Sequence, residues 1–198
     1  MNKIIFTDLD GTLTLRDTYN IFIFHNLKLS LVLKNALGLT SMALKYLFGA
    51  LSREGVKRAS FKMFFDGYDS GKDIGDFLGK IPWNAPVLDM INAKKKEGYK
   101  VILVTASPDL YLPQICDHLK FDGFIATKTL RDGDVANGIF DGGVCNFEEK
   151  TKRVREFLGD DAPSHTVSYG NSTGDYSMLG FCDESYFVNK SDVRKFEK

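Results

Sequence analysis

The sequence predicts an α/β protein whose centre is a parallel β-sheet, and two observations lead to this prediction. Short apolar runs such as residues 4–6 and 101–104 lack an alternation of polar and apolar side chains, which is typical of strands buried on both faces. After about residue 80, such runs alternate with stretches of helical periodicity. Because neighbouring parallel strands are usually connected by a helix, this order favours a parallel sheet flanked by helices.

The length and composition exclude several other classes of protein. A chain of 198 residues can bury a full core, and its length favours one domain or one domain with an insertion. Its 43% hydrophobic and 26% charged residues are typical of a soluble globular protein. Since 26 Lys and Arg balance 26 Asp and Glu, the charge gives no indication of a nucleic-acid-binding surface.

The cysteines and the N-terminus indicate a cytoplasmic protein. Cys116, Cys145 and Cys182 lie far apart and form no CxxC motif, so we interpret them as buried thiols and not as a disulfide framework or a zinc site. The chain runs from its first three residues straight into a strand, without the pattern of a signal peptide.

The first strand ends in two aspartates and a glycine, Asp8-Leu9-Asp10-Gly11. Along an extended chain, Asp8 and Asp10 would point the same way, and two such carboxylates repel each other unless a cation lies between them. Gly11 allows a sharp turn at this point. An Asx-type turn would explain one aspartate and the glycine but not the second aspartate. Since open α/β sheets bind ligands beyond the carboxyl ends of their strands, we expect a functional site here.

Residues 16–80 change in character and are predicted to form three or four helices in a separate small layer. This helical cap would interrupt a core domain made of residues 1–15 and 81–198. A helical repeat relates positions 29, 32, 33, 36, 37, 44, 47, 48 and 51, with Lys34, Ser41 and Lys45 on the other side.

The apolar character of this cap raises the question of a membrane. Only ten uncharged residues separate Lys34 from Lys45, fewer than the roughly 20 that a spanning helix needs. A helix that lies in the membrane interface remains an alternative, because the apolar face is broad and flanked by lysines. We favour the other interpretation, a helical bundle that packs on itself and over a neighbouring site.

The remaining chain predicts further strands and helices in alternation. A helix with an apolar face at residues 87–91 ends near Gly98, and a strand at residues 101–104 leads into Thr105-Ala106-Ser107-Pro108. The elements predicted next are a helix at 109–119, a strand at 124–126, a hairpin at 128–142, a helix from Asn146 to Gly159 with a capping box at Glu149, and strands at 166–169 and 186–188.

Three of these buried strands end in polar turns, and together the turns suggest phosphoryl chemistry. The turns contain Asp8 and Asp10, then Thr105 and Ser107, and finally Asn171 and Asp175, while Lys150 lies in the first turn of a helix. Oxygen ligands suit Mg²⁺, backbone N–H groups and hydroxyls hold phosphate oxygens, and a lysine neutralises charge on a transferring phosphoryl group. The pattern therefore predicts a magnesium-assisted attack on a phosphoryl group.

These residues resemble the four motifs of the haloacid dehalogenase (HAD) superfamily. The motifs are Asp8-x-Asp10-Gly-Thr, Thr105 after the second strand of the core, Lys150, and Gly170-Asn171-x-x-x-Asp175. The helical insert after the first motif, the Val104-Thr-Ala-Ser-Pro run and the spacing of Cys145 from Lys150 are similar to the phosphoserine phosphatase-like branch.

The resemblance implies a Rossmann-like sheet with a helical cap and a Mg²⁺-dependent phosphatase. It implies that Asp8 is the nucleophile and forms an aspartyl-phosphate, and that Asp10 acts as general acid and then as general base. Mg²⁺ would be held by the Asp8 carboxylate, the Asp10 backbone carbonyl and the fourth motif. Thr105, Ala106, Ser107 and Lys150 would bind the phosphate.

The fourth motif departs from that branch, because Asn171 stands where its members carry a metal-binding Asp. An amide oxygen can ligate Mg²⁺ but adds no negative charge, so we expect weaker metal binding, helped by Asp175 directly or through water. The alternative is that Asn171 and Asp175 only cap the next turn and helix. Two further alternatives concern Ser107, which could act as an N-cap before Pro108, and Lys152, which could replace Lys150 although it is turned away on the helix.

The substrate is left open between a small organic phosphate and a lipid phosphate. The apolar, aromatic cap suits a charged substrate such as phosphoserine poorly and resembles the caps of bacterial phosphatidylglycerophosphate phosphatases. We expect no nucleic-acid partner and allow peripheral membrane contact through the cap. Two alternative functions are a non-catalytic phosphate-binding or partner-binding module that has lost turnover through Asn171, and a phosphotransferase that uses the same residues.

Overall fold

A computed structural model describes residues 3–160 and 162–197 and contains a central mixed sheet flanked by helices. In chain order the strands are β1 (Lys3–Thr7), β2 (Asp66–Asp69), β3 (Tyr99–Pro108), β4 (Gly123–Thr127), β5 (Thr129–Asp132), β6 (Val135–Phe140), β7 (His165–Gly170), β8 (Glu184–Asn189) and β9 (Asp192–Lys195). The helices are α1 (Thr18–Asn26), α2 (Leu29–Lys34), α3 (Ala36–Leu47), α4 (Arg53–Phe65), α5 (Gly75–Leu78), α6 (Ala85–Lys96), α7 (Leu112–Leu119), α8 (Glu148–Leu158) and α9 (Tyr176–Phe181), with a 3₁₀ turn at Thr173–Asp175.

The main sheet confirms the predicted parallel α/β fold. Its strand order is β4-β3-β1-β7-β8-β9, and the first five strands are parallel to their neighbours while β9 is antiparallel to β8. The five strands expected from the apolar runs are all present, whereas β9 was not predicted. Because β1 lies between β3 and β7, the residues that follow these three strands meet at one edge of the sheet.

Burial on both faces of β1 explains why its sequence does not alternate. Ile5 belongs to a large apolar cluster on one face of the sheet. Ile4 and Phe6 belong to a second cluster on the other face, together with Ile102 and Val104 of β3. A strand covered on both faces is a rigid support for the residues at its end.

Two predicted helix starts are wrong. The helix expected at residue 109 begins only at Leu112, because β3 continues through Pro108, where it still pairs with Thr127. The capping box of Asn146 and Glu149 is absent: Phe147 is the N-cap residue of α8, with φ +50°, and no side chain caps this end. The Asn146 side chain instead accepts a hydrogen bond from the Phe147 N–H. The predicted end at Gly159 is confirmed.

The predicted hairpin is confirmed as β5 and β6, and β6 also pairs with β2 of the insert. This second sheet of three antiparallel strands ties the insert at residues 16–80 to the main part of the chain. The Gly/Asp-rich sequence around β2 gave no indication of a strand.

An aromatic cluster joins the insert to the rest of the molecule. Phe22 of α1 stacks on Phe65 of α4 at 5.2 Å between ring centroids, and lies 4.5 Å from the ring of Tyr111. These rings and Phe61 are buried in the same apolar cluster as Ile5. The division into a cap and a core domain stays a prediction, but α1 and α4 share one continuous core with the sheet.

The expected helical bundle forms only in part, because α1 and α3 pack on α4 whereas α2 and α3 leave most of their apolar side chains exposed. Neither helix contributes a buried residue, although both are rich in leucine. Five of their seven leucines are exposed. Helix α3 contacts α4 through its N-cap residue Asn35 and through Gly38, which leaves Leu37 and Leu44 outside this contact. Among the described residues, no helix is long and apolar enough to cross a membrane.

Candidate active site

Asp8 and Lys150 form a buried ion pair at the carboxyl end of β1. The Asp8 backbone N–H donates to the carbonyl of Tyr169 in β7 at 2.9 Å, so the neighbouring strand fixes its position. Lys150 extends from the first turn of α8, as predicted, and its Nζ lies 2.6 Å from Asp8 Oδ1. Lys152, the alternative lysine, is exposed and pairs with Glu149 and Glu156. The structure therefore brings Lys150 and not Lys152 to Asp8.

A second carboxylate shares the same ammonium group. Lys150 Nζ lies 2.5 Å from Asp175 Oδ1, and the side chains of both residues are almost completely buried. Burial, followed by the charge of Asp175, raises the pKa of Asp8 to about 7 from its ordinary value of 3.8. Burial alone would lower the pKa of Lys150, but Asp8 and Asp175 together raise it. One ammonium therefore faces an excess of buried negative charge.

The contacts of Asp175 match the alternative interpretation, in which this residue caps the turn after β7. Its Oδ2 accepts hydrogen bonds from the backbone N–H groups of Asn171 and Ser172 and from the Ser172 hydroxyl, completing a capping box. Since Oδ1 receives Lys150, both carboxylate oxygens already have partners within the protein. Asp175 thus positions Lys150 and the turn after β7, and its role as a metal ligand stays a prediction.

Asp10 is held by three short hydrogen bonds. The backbone N–H and the hydroxyl of Thr18 both donate to Asp10 Oδ1 at 2.6 Å, and the Ser107 hydroxyl donates to Asp10 Oδ2 at 2.6 Å. The alternative of Ser107 as a helix N-cap is wrong, because Ser107 lies within β3. Its phosphate contact stays a prediction, but its present partner is the predicted acid–base carboxylate.

Two residues behind Asp10 were missed by the sequence analysis. Thr18 is the first residue of α1, and its hydroxyl lies 3.2 Å from the hydroxyl of Tyr111, which is fully buried. Burial raises the pKa of Tyr111 well above its ordinary value, so the phenol stays neutral. Neither residue belongs to a motif; only tertiary structure brings them to Asp10.

The predicted phosphate-binding turn lies beside a lysine of the insert. Thr105 Oγ1 accepts a hydrogen bond from the Ser107 N–H at 3.0 Å, and the Ala106 carbonyl accepts one from Lys57 Nζ at 2.8 Å. Burial lowers the pKa of Lys57, and the nearby charges of Asp10 and then Asp17 partly offset that effect. Lys57 was missed because one lysine in an amphipathic helix carries no recognisable signal.

Asn171 packs directly against the turn that follows Asp10. Gly11 has φ +87°, and a Cβ atom at this position would lie 2.1 Å from Asn171 Nδ2. Thr12 Oγ1 lies 3.2 Å from Asp8 Oδ2 and 3.4 Å from Asn171 Oδ1. Gly11 is therefore required both by its backbone conformation and by the approach of Asn171.

The chemistry of this donor set fits Mg²⁺. No group of three or more His, Cys, Asp or Glu side chains in the described part of the chain is arranged to hold a metal ion. A site here would instead combine the Asp8 carboxylate with neutral oxygens, those of the Asp10 carbonyl and the Asn171 amide, which a hard cation accepts. The excess negative charge that raises the pKa of Asp8 is what a bound cation would neutralise.

The cysteines agree with the sequence analysis. Cys116, Cys145 and Cys182 are all buried, and none of them forms a disulfide. Burial raises the pKa of Cys145 to about 11, so this thiol near Lys150 is not a thiolate at neutral pH.

Comparisons with protein-family models and with known proteins show which family the sequence resembles. Residues 5–180 match the family model described as haloacid dehalogenase-like hydrolase. The chain is also 33% identical to protein CicA of Caulobacter vibrioides over 189 residues, which cover 89% of this chain and 82% of that protein.

Solved structures share the fold at low sequence identity. A protein of unknown function from Bordetella pertussis Tohama I superposes with a TM-score of 0.71 at 15% identity, covering 93% of this chain and 89% of its own. A phospho-aspartyl intermediate analogue of phosphoserine phosphatase gives a TM-score of 0.63 at 18% identity, covering 93% and 85%. A probable phosphoserine phosphatase from Vibrio cholerae gives 0.67 at 13% identity, covering 93% and 55%. At these identities, the similarity extends to the fold.

Proposed function

We propose a function for this chain, which belongs to the haloacid dehalogenase-like hydrolase family. The proposed function is that of a Mg²⁺-dependent phosphatase of the phosphoserine phosphatase-like branch. It would hydrolyse phosphomonoesters through an aspartyl-phosphate on Asp8. The observation that carries the proposal is the buried Asp8–Lys150 pair beside a separately held Asp10.

In the first step, a carboxylate oxygen of Asp8 attacks phosphorus and the bond to the ester oxygen breaks. Asp10, in its carboxylic acid form, gives its proton to the departing alkoxide. The two aspartates suit these separate roles because their partners differ. Asp8 contacts an ammonium group, whereas Asp10 contacts the hydroxyls of Thr18 and Ser107.

In the second step, the Asp10 carboxylate takes a proton from water, whose oxygen attacks the phosphorus of phospho-Asp8. The bond between phosphorus and the Asp8 oxygen breaks, which releases phosphate and restores both carboxyl groups. The hydrogen bonds from Thr18 and Ser107 hold Asp10 in one orientation for both transfers.

Phosphate binding would fall to Lys150 and to the last residues of β3. The Lys150 ammonium is 2.6 Å from Asp8, so it can neutralise charge that develops on the phosphoryl group next to that residue. Thr105, Ala106 and Ser107 would supply hydroxyl and backbone N–H groups, and Lys57 supports this end of β3 by donating to the Ala106 carbonyl. Mg²⁺, held by Asp8, the Asp10 carbonyl and Asn171, would supply Lewis-acid stabilisation of the phosphoryl oxygens.

A lipid phosphate is the substrate class we favour over a small, highly charged one. Helix α1 begins at Thr18, in contact with Asp10, and ends at Asn26, and only two residues separate it from α2, which begins at Leu29. The exposed leucines of α2 and α3 therefore follow directly on the helix that starts at the active site. We also propose a cytoplasmic location, which the three buried cysteines support because none of them forms a disulfide.

The test is hydrolysis of p-nitrophenyl phosphate and of a panel of amino-acid, sugar, nucleotide and lipid phosphates. We expect Mg²⁺-dependent turnover that is lost in Asp8→Asn and kept in Asp89→Asn, a matched change at an exposed aspartate. Acid-quenched protein should carry an acyl phosphate that hydroxylamine removes. No turnover on any phosphate would favour the phosphate-binding or partner-binding module. Transfer to added alcohols that exceeds hydrolysis would favour a phosphotransferase.

A further inference from the structure

Helices α2 and α3 present an apolar face to the outside of the protein. We define this face by six exposed side chains: Leu29, Leu33, Leu37, Leu44, Leu47 and Phe48. Leu37 is 87% and Phe48 82% exposed, although a leucine-rich helix is usually buried. Six large exposed apolar side chains within 20 residues are more than the single scattered ones that a protein surface usually carries, and such a concentration indicates a site of interaction.

The internal contacts of the protein hold these helices with the apolar face outward. Leu37 and Leu44 are seven positions apart within α3, so they lie on the same side of that helix. Helix α3 is attached to α4 at its N-cap, where Asn35 Nδ2 donates to the Met63 carbonyl at 3.2 Å. A Cβ atom on Gly38 would lie 2.9 Å from the end of the Met63 side chain. The apolar face is thus a consequence of how α3 is packed.

The charged side chains of the segment that carries the apolar face have one sign. No Asp or Glu occurs between Asp17 and Glu54, whereas Lys28, Lys34 and Lys45 lie within or beside α2 and α3. This segment is cationic in a chain whose formal net charge is zero. The charge asymmetry favours an anionic partner.

The same charges disfavour a second copy of this chain as the partner. A two-fold contact through the apolar face would bring identical surfaces together. The three lysines would then face their own copies or uncharged residues, because the segment contains no carboxylate to pair with them. Leucines flanked by lysines are instead typical of a helix that lies on an anionic membrane, where the lysine stems extend to the headgroups.

We infer that the apolar face is a docking surface for an anionic lipid bilayer. Helices α2 and α3 lie along the membrane plane, with the leucines and Phe48 at the boundary of headgroups and acyl chains and the lysines at the anionic headgroups. The 12 residues of α3 span about 18 Å, less than the roughly 30 Å of a hydrocarbon core, which is why the helix lies on the membrane. This inference does not depend on the reaction at Asp8.

Vesicle co-sedimentation of the full chain tests the inference. We expect binding to vesicles of phosphatidylcholine with 30% phosphatidylglycerol to exceed binding to pure phosphatidylcholine by at least about tenfold, and to weaken with salt. Changing Leu37→Ser together with Leu44→Ser should lower binding by at least about tenfold, because the apolar contribution is lost. Changing Lys34→Gln together with Lys45→Gln should remove most of the preference for anionic vesicles.

The matched control is Leu130→Ser with Ile139→Ser, two exposed apolar residues of β5 and β6 outside the face. This variant should bind vesicles as the wild type does. Equal binding to both vesicle types, or no binding to either, overturns the inference. So does a wild-type dimer, seen by light scattering, that becomes monomeric in Leu37→Ser with Leu44→Ser. Hydrolysis of p-nitrophenyl phosphate, assayed without vesicles, reports separately on folding and on the proposed function.

Discussion

Lys150 Nζ lies 2.6 Å from Asp8 Oδ1 in a site where neither side chain is more than 8% exposed. A buried lysine of this kind is held by its partners, since an unpaired ammonium would be costly to bury. The same ammonium is the only cation within hydrogen-bond distance of Asp8 among the described residues. We therefore expect the Asp8–Lys150 pair to contribute both to the stability of the folded protein and to the rate of the proposed reaction.

Replacing Lys150 with methionine should affect both properties. Two buried carboxylates would lose their shared cation, which should lower the free energy of unfolding at pH 8 by about 3–5 kcal/mol. The rate should fall by about 10²–10³-fold, the usual cost of losing one charge-stabilising group. Urea unfolding and kcat/KM measure the two effects. Lys152→Met, at an exposed position on the same helix, should change both by little, and a similar loss there would contradict the assignment to Lys150.

The raised pKa of Asp8 predicts a pH dependence of stability in metal-free protein. The Asp8 carboxyl stays protonated up to about pH 7 in the folded protein but only up to about pH 3.8 in the unfolded chain. Protonation of Asp8 therefore adds its full contribution to the free energy of unfolding below pH 3.8. It is lost progressively as the pH rises to about 7, and the total loss is up to about 4 kcal/mol.

The variant Asp8→Asn has no titrating group at this position, so a comparison with the wild type isolates the contribution of Asp8 to the pH dependence of stability. In EDTA, the variant should be more stable than the wild type at pH 8, and the difference should shrink as the pH falls towards 4. Thermal unfolding at several pH values measures this difference. Mg²⁺ should stabilise the wild type much more than the variant. A difference that does not change with pH would show that Asp8 is ionised throughout.

The sequence predicted the sheet and the main residues of the candidate active site because both follow from local sequence patterns. Apolar runs that do not alternate marked the five parallel strands, and the parallel sheet then brought Asp8, Thr105 and Asn171 to one edge. Lys150 could be chosen over Lys152 because a helix turns about 100° per residue.

What the sequence did not predict depends on contacts between distant residues. Thr18 and Tyr111 come together only because α1 lies beside β3, and Lys57 reaches the site only through its hydrogen bond from α4 to Ala106 of β3. No local pattern marks these three residues. The exposure of Leu37 was also missed. Periodicity identifies an apolar face but does not indicate whether the protein itself covers that face.

Thr18 connects the first turn of α1 to Asp10, and its hydroxyl can be removed without removing its backbone N–H. Thr18→Val should lower kcat by about tenfold and leave KM within about twofold, because only the orientation of Asp10 is affected. Thr18→Ser retains the hydroxyl and should recover most of the rate, with p-nitrophenyl phosphate as substrate. A loss of rate in both variants would indicate a packing defect at α1.

Asn171 contributes a neutral oxygen where a carboxylate would bind Mg²⁺ more tightly, so Asn171→Asp should lower the Mg²⁺ concentration needed for half-maximal activity by about tenfold. The same change adds a fourth carboxylate near Asp8, Asp10 and Asp175, and metal-free protein should therefore unfold at a lower temperature than the wild type. Mg²⁺ titrations of activity and thermal unfolding in EDTA measure the two opposite effects. Asn92→Asp, a change of the same kind on the exposed side of α6, is the matched control and should alter neither. An unchanged Mg²⁺ requirement in Asn171→Asp would mean that this side chain only packs against Gly11 and does not ligate the metal.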